Sequence, residues 1–164
     1  MTRRQILLAG TGVLALFGIM RLTRGESAAE TNEVFETMHS DAEWRQQLTP
    51  AQYAVLRQHS TERPYSSPLN GEKRAGVFAC AGCGLPLFSS EAKYDSGTGW
   101  PSFWRPLDNA IGTTDDTSFG MRRIEVHCRR CGGHLGHVFE DGPRPTGLRY
   151  CINGVAMTFA PAAA

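Results

Sequence analysis

The sequence predicts a mainly β domain with short N-terminal helices, and three observations support this fold class. The chain has 164 residues, among them 18 glycines and nine prolines, a content that favours a turn-rich β domain over a helical bundle. Apolar residues after position 75 fall in short runs bounded by turn residues, as in strands. Four of the five cysteines form two Cys-x-x-Cys pairs, the spacing of a small clamped domain.

Residues 1–29 have the composition of an export signal. Arg3 and Arg4 precede the apolar run Ile6–Met20, which is shorter than the roughly 20 residues that a membrane-spanning helix needs. The paired arginines are typical of twin-arginine signals, and the small residues Ser27–Ala29 offer a cleavage site. An uncleaved signal anchor is the alternative. In both cases we expect the domain to be exported, either into the bacterial periplasm or anchored at the membrane facing it.

The charge of the remaining chain argues against binding to nucleic acid. The formal net charge is +1, but four of the 17 basic residues lie in the first 24 positions, where there is no acidic residue. Removing these four leaves 13 basic against 16 acidic residues, a balance of −3. Nonspecific binding to nucleic acid requires an excess of Lys and Arg, so we expect no such partner.

Residues 30–39 are expected to be a linker, after which two short helices begin. The Ser-x-x-Glu spacing that starts at Ser40 is that of a capping box and predicts a helix to Leu48. The pattern recurs at Thr49 with a proline at the first helical position, and it predicts a second helix over residues 50–58.

Seven short strands are expected after a loop over residues 61–74. The candidates are Gly76–Cys80, Pro86–Ser89, Ser102–Trp104, Met121–His127, Leu135–Phe139, Arg149–Ile152 and Ala156–Phe159. In the fourth candidate, Ile124, Val126 and Cys128 alternate with polar residues, which predicts a half-buried strand.

The paired cysteines predict a metal site. Cys80 with Cys83 and Cys128 with Cys131 are separated by 44 residues, and glycines beside each pair allow tight turns. Four thiolates suit a closed tetrahedral zinc site with no position for a substrate, so this metal is expected to hold the fold. Iron in the same cage, two disulfides or a redox-active pair are the alternatives.

Cys151 has no partner in this arrangement. Arg149 and Asn153 lie two residues away on either side, so on a strand all three side chains share one face. A nearby cation lowers the pKa of a thiol and raises its thiolate fraction. Cys151 is therefore a candidate nucleophile, and the alternative is a buried core cysteine.

Two further motifs carry groups suited to a reactive site. His134, His137 and Asp141 lie shortly before the unpaired thiol in the chain. A glycine-rich loop over residues 94–104 carries aromatic side chains, including Trp100, although its tryptophans could belong to the core.

Taken together, the motifs resemble the methionine sulfoxide reductases of the B type, the peptide-methionine (R)-S-oxide reductases. They are Cys80-Ala-Gly-Cys83-Gly, Ser96-Gly-Thr-Gly-Trp-Pro-Ser-Phe103, Cys128-x-x-Cys131, Gly133-His-Leu-Gly-His-Val-Phe139 and Arg149-Tyr-Cys-Ile-Asn153. The resemblance places the reductase domain at residues 40–160. It implies a compact fold of two antiparallel β-sheets with flanking N-terminal helices and one structural zinc ion at the paired cysteines.

The resemblance also implies a mechanism. The Cys151 thiolate attacks the sulfoxide sulfur, and His134 and His137 bind the sulfoxide oxygen and supply its proton. Methionine leaves, and the cysteine is left as a sulfenic acid.

Other residues take supporting roles by the same resemblance. Arg149 stabilises the thiolate, Asp141 orients a histidine or a bound water, and Asn153 positions the substrate. Trp100 packs against the methyl group on sulfur and so selects the R epimer. Phe139 is a further substrate-binding residue.

The chain departs from the family pattern at Thr98, where many members carry a second, resolving cysteine. Since the other four thiols are assigned to metal, we expect an external reductant, either a thioredoxin-like protein, a glutaredoxin or a small thiol. The expected substrate is methionine R-sulfoxide in oxidised proteins, and the enzyme is expected to be a monomer that repairs oxidative damage.

Three other functions stay open on the residues alone. A non-catalytic, zinc-stabilised binding module would keep Cys151 buried and the histidines apart from it. A zinc-ribbon binder of nucleic acid is disfavoured by the charge. A thiol-dependent hydrolase would use Cys151 and a histidine as nucleophile and base.

Overall fold

The structure is a computed structural model that describes residues 34–163. The export signal expected at residues 1–29, and the first part of the expected linker, lie outside these residues. Across residues 34–163, no helix has the length and apolar character needed to cross a membrane.

Two short helices open the described chain, and each begins with a two-way cap. Helix α1 is Asp41–Gln47 and helix α2 is Pro50–Gln58. The backbone N–H of Glu43 donates to the Ser40 hydroxyl at 3.3 Å, and the Glu43 carboxylate accepts from the Ser40 N–H at 2.7 Å. The second helix has the same cap. These bonds satisfy donors that a helix start leaves free, so both helices begin where predicted.

Nine strands follow. They are β1 Gly76–Cys80, β2 Pro86–Ser89, β3 Lys93–Tyr94, β4 Ser102–Phe103, β5 Ile111–Asp116, β6 Arg123–Cys128, β7 His134–Phe139, β8 Arg149–Ile152 and β9 Met157–Pro161. Four 3-10 turns also occur in the described residues: Pro68–Asn70 lies before β1, Ser90–Ala92 between β2 and β3, Ser118–Gly120 between β5 and β6, and Gly154–Ala156 between β8 and β9.

The strands form two antiparallel sheets, which confirms the predicted fold class. The smaller sheet has the order β2-β1-β9, and the larger sheet has the order β3-β4-β8-β7-β6-β5. The sequence did not predict β3 and β5. Strand β5 is mainly polar and none of its residues is fully buried at the sheet edge, so it carries no apolar alternation, and its six residues are held by pairing with β6.

An aromatic core joins the two sheets. Phe78 of β1, Phe88 of β2 and Phe103 of β4 are fully buried. The ring of Phe103 lies edge-on to Phe78 at 5.0 Å and stacks on Phe88 at 4.3 Å. Burial of one such side chain contributes about 1.5–3 kcal/mol, so this cluster fixes β4 and its neighbour β8 in the larger sheet.

The structure differs from the sequence predictions in the linker and in strand β6. Residues 34–39, within the expected linker, contact the domain, since Phe35 lies edge-on to His127 at 5.7 Å and the Thr37 N–H donates to the Arg130 carbonyl at 2.9 Å. The alternation expected in β6 is incomplete. Ile124 is 39% exposed, whereas Val126 is fully buried, because the sheet is covered at only one end of this strand.

Candidate active site

The four paired cysteines converge on one point. The Sγ atoms of Cys80 and Cys131 are 3.7 Å apart, and those of Cys83 and Cys128 are 3.5 Å apart. A tetrahedral zinc ion with Zn–S bonds of about 2.3 Å places its sulfurs about 3.8 Å from one another. The cluster therefore fits a single metal ion, and none of the four thiols forms a disulfide.

Two equivalent turns bring the sulfurs together. The Gly84 N–H donates to the Cys80 carbonyl at 2.8 Å, and the Gly132 N–H donates to the Cys128 carbonyl at 2.8 Å. Both glycines are in the left-handed region, with φ of 71° and 66°. Because other residues seldom adopt this conformation, these glycines allow each Cys-x-x-Cys segment to aim both thiols inward.

Cys151 lies on β8, away from this cluster, with a histidine opposite. It pairs with His137 of β7 on one side and with Ser102 of β4 on the other. Side chains directly opposite in antiparallel strands lie about 4.5–5.5 Å apart at Cβ, on one face. Gly136 permits this approach, since a Cβ there would lie 2.1 Å from the Cys151 carbonyl oxygen. The sheet register thus places an imidazole beside the thiol.

A cavity of about 140 Å³ opens over this pair. Its lining residues are Thr61, Trp100, Arg123, Gly136, His137, Phe139, Cys151 and Asn153. Five of the eight residues predicted to be catalytic or substrate-binding therefore meet in one place. The other three, His134, Asp141 and Arg149, lie around the cavity and do not line it.

Arg149 and Asp141 form an ion pair at the edge of the site. The guanidinium donates to both carboxylate oxygens, at 2.8 and 2.9 Å, and it covers the ring of Phe139 at 4.4 Å from the centroid. The hydrogen bonds from Arg149, together with its positive charge, lower the pKa of the Asp141 carboxyl. The family resemblance implied that Asp141 orients a histidine or a water, whereas in the structure both oxygens of its carboxylate accept from the arginine.

Two opposing effects act on the Cys151 thiol. Burial raises its pKa, while the Thr98 hydroxyl, 3.9 Å from the sulfur, and the charge of Arg149 lower it. The effect of Arg149 has the expected sign, but desolvation is larger, so the pKa lies above its usual range. The thiol is therefore mainly protonated in the free protein at neutral pH.

His137 is held by a carboxylate that the sequence analysis missed. Its Nε2 lies 2.8 Å from Oδ2 of Asp116 on β5, and the same oxygen accepts from Arg123 at 2.7 Å. Burial lowers the pKa of His137, and the hydrogen bond to Asp116 partly offsets this. Asp116 escaped the sequence analysis because β5 was not predicted.

His134 is fixed in a second histidine–carboxylate pair. Its Nδ1 lies 2.7 Å from Oε1 of Glu125, and the imidazole is 2% exposed. The same carboxylate oxygen is 3.1 Å from Nδ1 of His59. The ring of His134 lies 5.4 Å from that of His137 at an angle of 67°, so it supports the residue that lines the cavity.

Asn153 follows the last residue of β8 and lines the cavity together with Cys151. Strand β8 ends at Ile152, and the Asn153 amide donates to the Leu135 carbonyl and accepts from the Glu62 N–H, both at 3.0 Å. Glu62 also accepts hydrogen bonds through its backbone carbonyl and through its side-chain carboxylate. Its carbonyl accepts from the Trp100 indole at 3.1 Å, and its carboxylate accepts from backbone N–H groups just after Asn153. No sequence signal pointed to Glu62, because a lone carboxylate in a loop is usually solvated.

Comparison with known proteins agrees with this geometry. The family model described as the SelR domain matches residues 48–161. A relative from Agrobacterium fabrum is 54% identical over 123 residues, which cover 74% of this chain and 91% of that protein. One from Methanosarcina barkeri is 58% identical over 121 residues, covering 73% and 85%. One from Pseudomonas putida is 58% identical over 120 residues, covering 73% and 90%.

All three relatives are named peptide methionine sulfoxide reductase MsrB. The match covers both sheets, the cysteine cluster and the cavity, and it confirms the resemblance seen in the sequence. The chain belongs to the SelR-domain family of B-type methionine sulfoxide reductases.

Proposed function

We propose that this protein reduces methionine R-sulfoxide in peptides and proteins to methionine, and so repairs oxidised proteins. The observation that carries the proposal is the pairing of Cys151 with His137 across adjacent strands at the floor of one cavity. Membership of the MsrB family supplies the substrate class.

The reaction uses the thiol and the imidazole as a pair. His137 takes the proton from the Cys151 thiol, and the thiolate attacks the sulfoxide sulfur. The imidazolium returns the proton to the sulfoxide oxygen as the sulfur–oxygen bond breaks. The hydroxide released in this way attacks the cysteine sulfur, the new sulfur–sulfur bond breaks and methionine leaves, so that the oxygen ends on the cysteine as a sulfenic acid. The substrate sulfur gains the two electrons that the cysteine sulfur loses. Asp116 keeps the imidazole in place during both transfers.

Two aromatic side chains form the apolar wall that would receive the methyl group on sulfur. The Trp100 ring is fixed through its indole N–H by the Glu62 carbonyl. Phe139 lies at the end of β7 and is covered by the guanidinium of Arg149. With the oxygen directed to His137 and the methyl group to this wall, only one epimer aims its sulfur at the thiol.

We further propose that the four-cysteine site holds zinc with a structural role. The cluster joins the turn after β1 in the smaller sheet to the turn between β6 and β7 in the larger sheet. Four thiolates at tetrahedral spacing leave no open position for a substrate. The ion would stabilise the contact between the sheets and take no part in the reduction.

Return of the Cys151 sulfenic acid to the thiol would require a reductant from outside the chain. Thr98 offers a hydroxyl and no thiol to Cys151. Two external thiols would reduce the sulfenic acid, with release of water and formation of their disulfide.

We further propose that the reduction takes place outside the cytoplasm. We place the domain in the periplasm, or anchored facing it, because of the apolar segment and paired arginines in residues 1–29.

The test uses peptides that contain pure R- or S-methionine sulfoxide, with dithiothreitol as reductant. The wild-type protein should convert the R epimer alone. Cys151→Ser should lose this activity and retain the metal content and the circular dichroism of the wild type, while Thr98→Ser, which keeps a hydroxyl beside Cys151, serves as the control. Reduction by Cys151→Ser, or equal reduction of both epimers, would contradict the proposal.

A further inference from the structure

We propose that His59, Glu125 and His134 form a second metal site, which takes a divalent transition cation such as Zn²⁺ and is separate from the four cysteines. The Oε1 atom of Glu125 lies 3.1 Å from Nδ1 of His59 and 2.7 Å from Nδ1 of His134. Two imidazoles and one carboxylate, with a fourth position open, form a ligand set that zinc uses in proteins.

The fold brings the three side chains together from separate elements. His59 ends α2 as its left-handed C-cap, with φ of 54°, a position where glycine or asparagine is usual. Glu125 lies on β6 and His134 begins β7, next to it in the larger sheet. The two imidazole centroids are 5.1 Å apart, so the end of the helix covers the sheet with a second histidine.

The spacing is close to that of a metal site. A tetrahedral ion with ligand bonds of about 2.0–2.1 Å holds its ligand atoms about 3.3 Å apart. The three candidate atoms all lie within 4.8 Å of one another. A small outward movement of the His59 ring would fit an ion, because this side chain is 61% exposed.

The exposed side of the site gives an ion a path from solvent and leaves room for a further ligand. His134 is 2% exposed and Glu125 is 13% exposed, so these two form the closed side of the site. The open side faces solvent at His59, where water can complete the coordination. One carboxylate charge beside two imidazole ligands favours a dication over a bare pair of histidines.

An ion bound at this second site would restrain the histidines beside the cavity. The ion would take Nδ1 of His134 in place of its hydrogen bond to Glu125, next to the ring of His137. We therefore expect the second ion to slow sulfoxide reduction. This consequence alone depends on the proposed function, whereas binding does not.

The experiment measures zinc bound per full-length chain by equilibrium dialysis and elemental analysis, without any sulfoxide. All proteins carry Cys151→Ser, so that the active-site thiol cannot act as a ligand. The parent should hold one more zinc ion per chain than the His59→Ala variant. His39→Ala is the matched control, because it removes an exposed histidine that contacts Trp44 and leaves the three ligands intact. It should bind as the parent does.

The difference between parent and His59→Ala decides the proposal. Equal zinc content in the two proteins, across zinc concentrations that saturate the cysteine site, would overturn it. Glu125→Gln should reproduce the loss if it folds, and the exposed His59→Ala carries the test if it does not. Cobalt(II) gives a second readout, since the parent should show an additional absorption change that His59→Ala lacks. Either result leaves the reductase proposal to its own assay.

Discussion

A cysteine in place of Thr98 should convert the single-thiol enzyme into one that resolves its own sulfenic acid. The Thr98 hydroxyl is 3.9 Å from the Cys151 sulfur, and a disulfide requires about 2.05 Å, so the two must approach by roughly 2 Å. Gly97 and Gly99, with φ of 70° and 94°, flank the position and give the loop the freedom to move.

The disulfide should also stabilise the protein. It would link residues 53 positions apart, and the chain-entropy relation gives about 4 kcal/mol for closing a loop of this length. Strain from the approach would reduce that figure. We expect the oxidised Thr98→Cys protein to unfold at higher denaturant concentration than its reduced form.

The assay follows one turnover without reductant, by mass spectrometry and a sulfenic-acid trap. The wild type should be trapped as a sulfenic acid at Cys151, whereas Thr98→Cys should lose two hydrogens and escape the trap. The double variant Thr98→Cys/Cys151→Ser is the control and should form no disulfide. A persistent sulfenic acid in Thr98→Cys would refute the expectation that residue 98 can approach Cys151 closely enough to form a disulfide. A wild-type disulfide between Cys151 and a metal-site cysteine would refute the separate roles of the thiols.

Three further predictions follow from the metal site, the ion pair beside the thiol and the leader. Cys80→Ser should lose the metal and unfold, because a structural zinc contributes about 10–16 kcal/mol of binding free energy to a domain that is stable by about 5–15 kcal/mol; retention of metal and a cooperative melt would contradict this. Asp141→Asn should lower the pKa of Cys151, since the carboxylate charge raises it, and the alkylation rate should then rise at lower pH than in the wild type; a shift to higher pH would oppose the reasoning. Changing Arg3 and Arg4 to Lys should block export of a reporter fused to residues 1–30, and surviving export would indicate another route.

Local signals explain the parts of the fold that the sequence predicted well. Ser40 and Thr49 carry complete capping boxes, so both helices begin at the predicted residues. Strands β1, β2 and β8 have the predicted bounds, because short apolar runs between turn residues mark them. The cysteine spacing predicted the cluster, since a tight turn aims both thiols of a pair at one point.

Non-local pairing explains what the sequence could not show. Asp116 and Glu125 hold the two histidines through contacts between strands, and neither lies near its histidine in the chain. Glu62 reaches Asn153 across 91 residues. Asn153 was expected to share a strand face with Cys151; β8 ends at Ile152 and Asn153 caps the 3-10 turn that follows, yet both side chains line the same cavity.

The surroundings of Cys151 lead us to propose that the substrate, and not Arg149 alone, activates the thiol. Burial raises the pKa of the thiol and lowers the pKa of His137, so both groups are neutral in the free protein at neutral pH. Arg149 shares its charge with Asp141, which weakens its hold on a thiolate. A protonated thiol reacts slowly with passing oxidants, because the thiolate is the reactive form. A sulfoxide oxygen beside His137 would supply the acceptor to which the proton can finally move, and the thiolate would then form next to the sulfur that it attacks.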